Sequence, residues 1–221
     1  MRRIAVLLAL MPLLGACSAL PGGPKQHGSR PSGQVFASGP DARQCLAELG
    51  ATRANFTPLP DRYYGGGCSN VNTVTLANLR SDSNSLSLSN MGPVTCSMAS
   101  SFAGWARYGA DRAARQILGS PLVRIETMGS YSCRNVAGTA RRSAHATANA
   151  IDVAAFVLAD GRRVSVLDDW FNGTRDEREF LHVVQESACK RFATVLSPEY
   201  NAAHRDHLHV EVGTGGRPYC R

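Results

Sequence analysis

The clearest alternation of apolar and polar positions in this 221-residue chain lies near its C-terminal end. In His207-Leu208-His209-Val210-Glu211-Val212 every second side chain is aliphatic, and the others are imidazoles and a carboxylate. A strand has a period of two, so Leu208, Val210 and Val212 fall on one face and His207, His209 and Glu211 on the other. This is the pattern of a strand whose back packs on a core while its front lines a cleft.

Helical periodicity governs two longer runs. Met98, Phe102, Trp105, Ala106, Ala113, Ile117 and Leu118 recur at helical spacing, with Arg107, Asp111, Arg112 and Arg115 on the wet side and Gly119 as the stop. A second helix from about Arg175 to Phe192 carries Phe180, Leu181, Val184 and Ala188 as its apolar stripe, and His182 lies off that stripe, on the exposed side. A short helix from Asp41, as N-cap, to Leu49 stops at Gly50. Strands are expected at Val71–Leu79, Leu122–Met128, around Asp152 and at Thr194–Leu196. Asp160-Gly161 reads as a two-residue hairpin turn from which Arg162–Leu167 returns as a paired strand. Residues 51–70 read as irregular, and Ser81–Asn90 as a loop or edge. The sum is an α+β fold: a small antiparallel sheet with flanking helices, in a domain over residues 41–221.

The N-terminal part has a different texture. Arg2 and Arg3 precede an apolar run, Ile4–Leu14, that is too short to span a bilayer and reads as a secretory signal over residues 1–16. It ends in Leu14-Gly15-Ala16-Cys17, similar to a bacterial lipobox, which makes Cys17 the lipidated first residue of the mature chain. Ser18, in place of an Asp, favours passage to the outer membrane, so the expected location is the envelope, facing the periplasm. Residues 17–40, rich in Pro, Gly and Ser, form a flexible tether.

Cysteine use agrees with export. Apart from Cys17, six cysteines remain (Cys45, Cys68, Cys96, Cys133, Cys189 and Cys220), even in number and without a C-x-x-C pair. That favours three disulfides over a thiolate metal site. Near-neighbour pairing would join Cys45 to Cys68, and Cys220 would staple the C-terminus. The formal charge is +7, and loss of Arg2 and Arg3 leaves 22 basic against 17 acidic side chains, a net of +5. A basic exported protein suits an anionic envelope. The basic residues are dispersed, which argues against nucleic acid as a partner. The sequence leaves the oligomeric state open.

Three of the six histidines, His204, His207 and His209, lie within six residues, with Asp206 and Glu211 among them. Such a cluster points to a metal ion or to acid–base chemistry. Upstream, His145 and Asp152 are seven residues apart, and Asp152 is the sole charged residue between Ala150 and Ala159.

Taken with the early cysteines, the Trp105 helix, Tyr131-Ser132-Cys133-Arg134, Ser143-x-His145, Ala150-Ile151-Asp152-Val153, Asp160-Gly161, Trp170 and His204-x-Asp206-His207-x-His209, the chain resembles the bacterial extensin-like C-terminal family. More distantly, these segments are similar to the signature of zinc peptidases of peptidoglycan: the D-alanyl-D-alanine carboxypeptidases, murein endopeptidases and lysostaphin-like enzymes. That likeness implies a zinc-peptidase-like fold in which His145, Asp152 and His209 bind one zinc ion. It also implies Asp206 or His207 as general base, and His204 or Arg134 as oxyanion donor, with wall peptide as substrate. Glu211 would support a ligand histidine. The glycine of the zinc-peptidase motif is Ala148 here, a difficulty if the position needs a positive φ. A non-catalytic module binding wall peptide or metal on the same fold is the alternative. A glycosidase using carboxylates such as Asp168, Asp169 or Glu177 is a third reading.

Overall fold

A computed structural model describes residues 39–213 and 217–221. The signal segment, Cys17 and nearly all of the tether lie outside the described residues.

The chain opens with helix α1, Pro40–Ala51, capped by Gly39 and holding Pro40 in its first turn. Proline suits that position because its missing N–H is one the helix cannot use. The helix therefore starts one residue before the expected Asp41, which sits in the first turn instead, and it runs through Gly50.

Strands β1 (Asn55–Pro58), β2 (Arg62–Gly65), β3 (Cys68–Asn70), β4 (Thr73–Arg80), β5 (Ser85–Ser89) and β6 (Val94–Thr95) follow. Two of the stretches read as irregular or loop are thus strands. In β5 the alternation is Ser-Leu-Ser-Leu-Ser, with Leu86 fully buried and Leu88 packed against the core. Next come helix α2 (Cys96–Trp105), which continues in wider π-helical turns to Leu118, and strand β7 (Leu122–Gly129). Gly119, at φ 72°, ends the helical run in the left-handed conformation that glycine adopts without strain. Strand β8 (Ala150–Leu158), strand β9 (Arg163–Ser165), helix α3 (Val166–Asn172), helix α4 (Arg175–Cys189), and strands β10 (Thr194–Leu196), β11 (Leu208–Glu211) and β12 (Tyr219–Cys220) complete the order. The β8–β9 connection differs from the expected two-residue turn. Leu158 N–H bonds Arg162 O, which leaves three residues in the loop, with Gly161 at φ 91°.

The main sheet has ten strands in the order β1-β4-β5-β7-β8-β11-β10-β12, with β6 on β4 and β9 on β8. It is mixed, because β5 pairs with β7 and β10 with β12 in parallel. The expectation of a small antiparallel sheet is therefore corrected. The difference arises where serine-rich or short segments gain their strand character from neighbours and not from their own composition.

Strand β8 is central, and a bulge in it decides which side chains face the site. Glu126 pairs with Ala155 and Thr127 with Val153, so Ala154 has no partner across the ladder. One extra residue inverts the alternation. Ile151, Val153, Phe156 and Leu158 all join the core, and Asp152 is left on the opposite face.

The core lies where α2 and α4 meet on the sheet. Trp105 is fully buried, packs against Phe102, Phe156 and Phe192, and donates its indole N–H to Val184 O at 3.1 Å. The stripe of Phe180, Leu181, Val184 and Ala188 is buried as its spacing requires. Three disulfides close the domain: Cys45–Cys96, Cys68–Cys133 and Cys189–Cys220. The last staples the C-terminus, whereas Cys45 joins α2 and not Cys68. Near-neighbour pairing fails because α1 packs beside α2, and Cys68 faces the segment that leads into the site.

Candidate functional site

Strand β11 is antiparallel to β8 in a register that sets His209 directly opposite Asp152. Leu208 and Val210 point into the core, so His209 and Glu211 share the other face with Asp152. His145 arrives from a 3-10 turn, Ala144–Thr147, whose cap is Ser143, with its hydroxyl accepting from His145 N–H. That turn closes at Ala148, which adopts φ 57° and ψ 27° while fully buried. The position does take the left-handed conformation, and an alanine occupies it against a cost of about 1–2 kcal/mol.

His145, Asp152 and His209 are 2%, 9% and 7% exposed, and one ligand-type atom from each lies within 4.8 Å of the others. His145 Nε2 is 3.2 Å from an Asp152 oxygen and 3.2 Å from His209 Nδ1, and His209 Nδ1 is 2.9 Å from the other Asp152 oxygen. The remaining imidazole nitrogens are committed elsewhere. His145 Nδ1 donates to the carbonyl of Ser130 at 2.6 Å, and His209 Nε2 faces Glu211 Oε2 at 3.3 Å. With neutral rings, these partners place the protons on the outer nitrogens, leaving two nitrogen lone pairs and a carboxylate facing one another. Acceptors so close repel unless a cation lies between them, either a proton or a metal ion. The donor set, two imidazoles and one carboxylate, is one that zinc takes.

The electrostatics reflect the same demand for positive charge. Burial pushes the Asp152 carboxyl up, but hydrogen bonds from His145 and His209 outweigh it and hold the group well below the usual carboxylate range. Burial likewise lowers His209, and its bonds to Asp152 and Glu211 more than reverse this, raising it to about 9. Burial raises Glu211, and its bond with His209 brings it below its ordinary value.

His207 precedes β11. Its Nδ1 is 2.8 Å from Asp206 Oδ1, and its Nε2 points inward, 3.5 Å from Asp152 Oδ1. Asp206 and His207 therefore form a pair with the imidazole on the inner side. His204 donates from Nδ1 to Asn201 Oδ1 at 2.8 Å, an oxygen identified as the acceptor because it also receives Ala203 N–H. Burial, and the cost of adding a further positive charge beside the neighbouring imidazoles, lower His204 to about 4, so its ring is neutral at pH 7 and its Nε2 carries no proton. The rings of His204 and His207 lie 5.2 Å apart.

These groups open onto a cleft of about 600 Å³ whose lining includes Arg134, Arg141, His204, His207, Tyr200 and Tyr219. Of the residues singled out for zinc-peptidase chemistry, Arg134, His204, His207 and His209 line this cleft, while His145 and Asp152 are buried against His209 and Asp206 is paired with His207. Arg141, Tyr200, Tyr219 and the Ser130 carbonyl were not singled out. Only the folded path shows them, since a backbone carbonyl carries no sequence signal and the tyrosines come from two separate segments, Tyr200 from a turn and Tyr219 from β12. The carboxylates of the glycosidase reading are occupied with helix starts. Asp168 and Asp169 bond Ser165 at the start of α3, and Glu177 completes a capping box with Thr174 in α4. His182 packs on Trp170 at 4.7 Å between ring centres and takes no part in the cluster.

The molecule is a disulfide-stapled α+β domain with a His–Asp–His cluster at the floor of a cleft. It belongs to the Extensin-like protein C-terminus family, whose model matches residues 43–221. Searches of curated proteins and of solved structures return no match.

Proposed function

We propose that the chain is a zinc-dependent hydrolase of peptide bonds in peptidoglycan, held in the cell envelope by a lipid on Cys17. The observation that supports this most is the proton count at the cluster: the outer nitrogens of His145 and His209 are committed to Ser130 and Glu211, so with both rings neutral three acceptors converge inside and call for a cation. The spacing Ser143-x-His145, Asp152 and His207-x-His209, similar to that of zinc peptidases, supports the same reading. Three disulfides suit an exported protein, and the lipobox-like segment and the tether over residues 17–40 suit an anchored one.

His145, Asp152 and His209 would hold the ion, and a zinc ion supplies Lewis acidity and brings the pKa of water towards about 7. The protein's own groups do the rest. Asp206 accepts the Nδ1 proton of His207 and so presents His207 Nε2 to the cleft as the proton-accepting atom. The choice between Asp206 and His207 becomes a division of labour, with His207 moving the proton and Asp206 orienting it. Arg134 is the oxyanion donor in this account. His204 does not fit that role, because its neutral ring has no proton on the free Nε2; that nitrogen is an acceptor for a substrate N–H.

Digestion of purified peptidoglycan tests the reading. Wild-type protein should generate new amine ends that disappear with a chelator and fall by about 10²-fold or more in His207→Ala. Retention on the wall without new ends would overturn hydrolysis in favour of a binding module.

A further inference from the structure

A second charged pocket lies at the end of α1. It has a volume of about 300 Å³ and is lined by Ala51, Arg53, Arg80, Ser81, Asp82 and Arg107. The formal charge of the lining is three guanidiniums against one carboxylate. That carboxylate is already fully engaged: Arg107 Nε bonds one Asp82 oxygen at 2.7 Å, and Arg112 Nε bonds the other at 2.8 Å. Hydrogen bonds from Arg112 and Arg107 hold the Asp82 carboxyl down to about 2, so it is ionised at neutral pH and fully used. The guanidinium groups of Arg53 and Arg80 have no ion-pair or hydrogen-bond partner among the described residues.

Two features of the backbone build this arrangement at a cost. Arg53 follows the C-cap of α1 in the left-handed conformation, φ 60°, with its N–H on Gly50 O at 2.9 Å. Helices usually place glycine or asparagine there, because an ordinary side chain is strained at positive φ. Arg107 and Arg112, five residues apart, would diverge on an α-helix. The π-helical turn Ala106–Asp111 widens the helix at that point, and both side chains reach Asp82. Tyr108, half exposed, carries their guanidiniums at 5.1 and 4.8 Å from its ring centre.

We propose that this pocket binds a phosphate group, with Arg53 and Arg80 supplying forked donors and Arg107 completing the charge. The lining carries a surplus of two positive charges, which matches a phosphate monoester of charge about −1.5 to −2 at pH 7. Guanidinium forks match phosphate oxygens in pairs. The site is separate from the histidine cleft and shares no lining residue with it.

The full chain with Cys17→Ser, which carries no acyl group, is titrated with inorganic phosphate by calorimetry. In parallel it is mixed with phosphatidylcholine vesicles with and without phosphatidic acid. Binding of free phosphate, or vesicle binding that depends on phosphatidic acid, supports the pocket if Arg53→Gly and Arg80→Ala each weaken it about tenfold. Binding of both forms reads a phosphate from any source; binding of the vesicle alone reads a headgroup set in a surface. Arg53→Gly also removes the strain at positive φ, so this variant should melt no lower than the wild type while losing affinity. Absence of binding to both ligands, or binding unchanged in both variants, overturns the proposal.

Discussion

Asp152 and His209, 57 residues apart in the chain, face each other across two antiparallel strands, with His209 Nδ1 2.9 Å from the Asp152 carboxylate. The contact depends on the bulge at Ala154, which turns Asp152 away from the core while its strand neighbours stay in it. Asp152→Asn keeps the shape of this side chain and removes its charge. On the proposed reading zinc affinity should fall by more than the 10- to 100-fold typical of a supporting group, because Asp152 would be a direct ligand. A competition titration with a zinc-sensitive dye measures this, and affinity equal to wild type would remove Asp152 from the ligand set.

Glu211 faces the outer nitrogen of His209 at 3.3 Å, so on the proposed reading it would act on the ion only through His209. Glu211→Gln should lower zinc affinity by about 10- to 100-fold. Circular dichroism should be unchanged, since Glu211 lies outside the core. A loss as large as that of Asp152→Asn would make Glu211 a ligand in its own right.

Ala148 sets the orientation of the turn that carries His145. Ala148→Gly relieves the positive-φ strain but deletes a buried methyl and loosens the unfolded chain, so the net change in stability should stay within about 1 kcal/mol. Ala148→Val puts a β-branched side chain into a left-handed, fully buried site and should cost about 2–4 kcal/mol. Urea unfolding of the two variants checks the pair. Equal stabilities would show that the turn relaxes out of this conformation.

The cluster also predicts a pH dependence for the chelator-treated protein. His209 is raised from 6.5 to about 9, so its contribution to stability is complete below about pH 6.5 and is lost as pH climbs through 9. Asp152 is lowered from 3.8, so its contribution is present above about pH 4 and is lost on acidification below that. The chelated protein should therefore lose stability from this cluster on both sides of a window of about pH 4 to 6.5. If zinc binds here as proposed, it would displace the His209 proton, so its apparent affinity should rise with pH up to about 9, with proton release seen calorimetrically in buffers of different ionisation heat. Affinity independent of pH between 6.5 and 9 would contradict the charge state assigned to His209.

The amphipathic elements were legible in the sequence because their periodicity is strong. The apolar stripe of α4, the apolar side of the run ending at Gly119 and the two faces of β11 all follow from spacing alone, whereas Asp111, expected on the wet side of that run, is fully buried and accepts from Leu122 N–H and Arg115. The site residues were legible as chemistry, since histidines and carboxylates at short intervals are uncommon in a core. The bulge at Ala154 was hidden because one extra residue among alanines and valines leaves no mark in composition. Strand β5 was hidden because serine on an exposed strand face looks like serine in a loop. The pairing of Asp206 with His207 was hidden as well: adjacent residues show whether they cooperate or compete only once the backbone fixes where each side chain points.

The central claim is that His145, Asp152 and His209 bind a metal ion, and metal analysis of the purified wild-type and His145→Ala proteins tests it most directly. The account predicts about one zinc per wild-type chain and a loss of at least about tenfold in the variant, with the fold retained by circular dichroism. A wild-type protein without zinc after exposure to it, or equal zinc in both proteins, would contradict it.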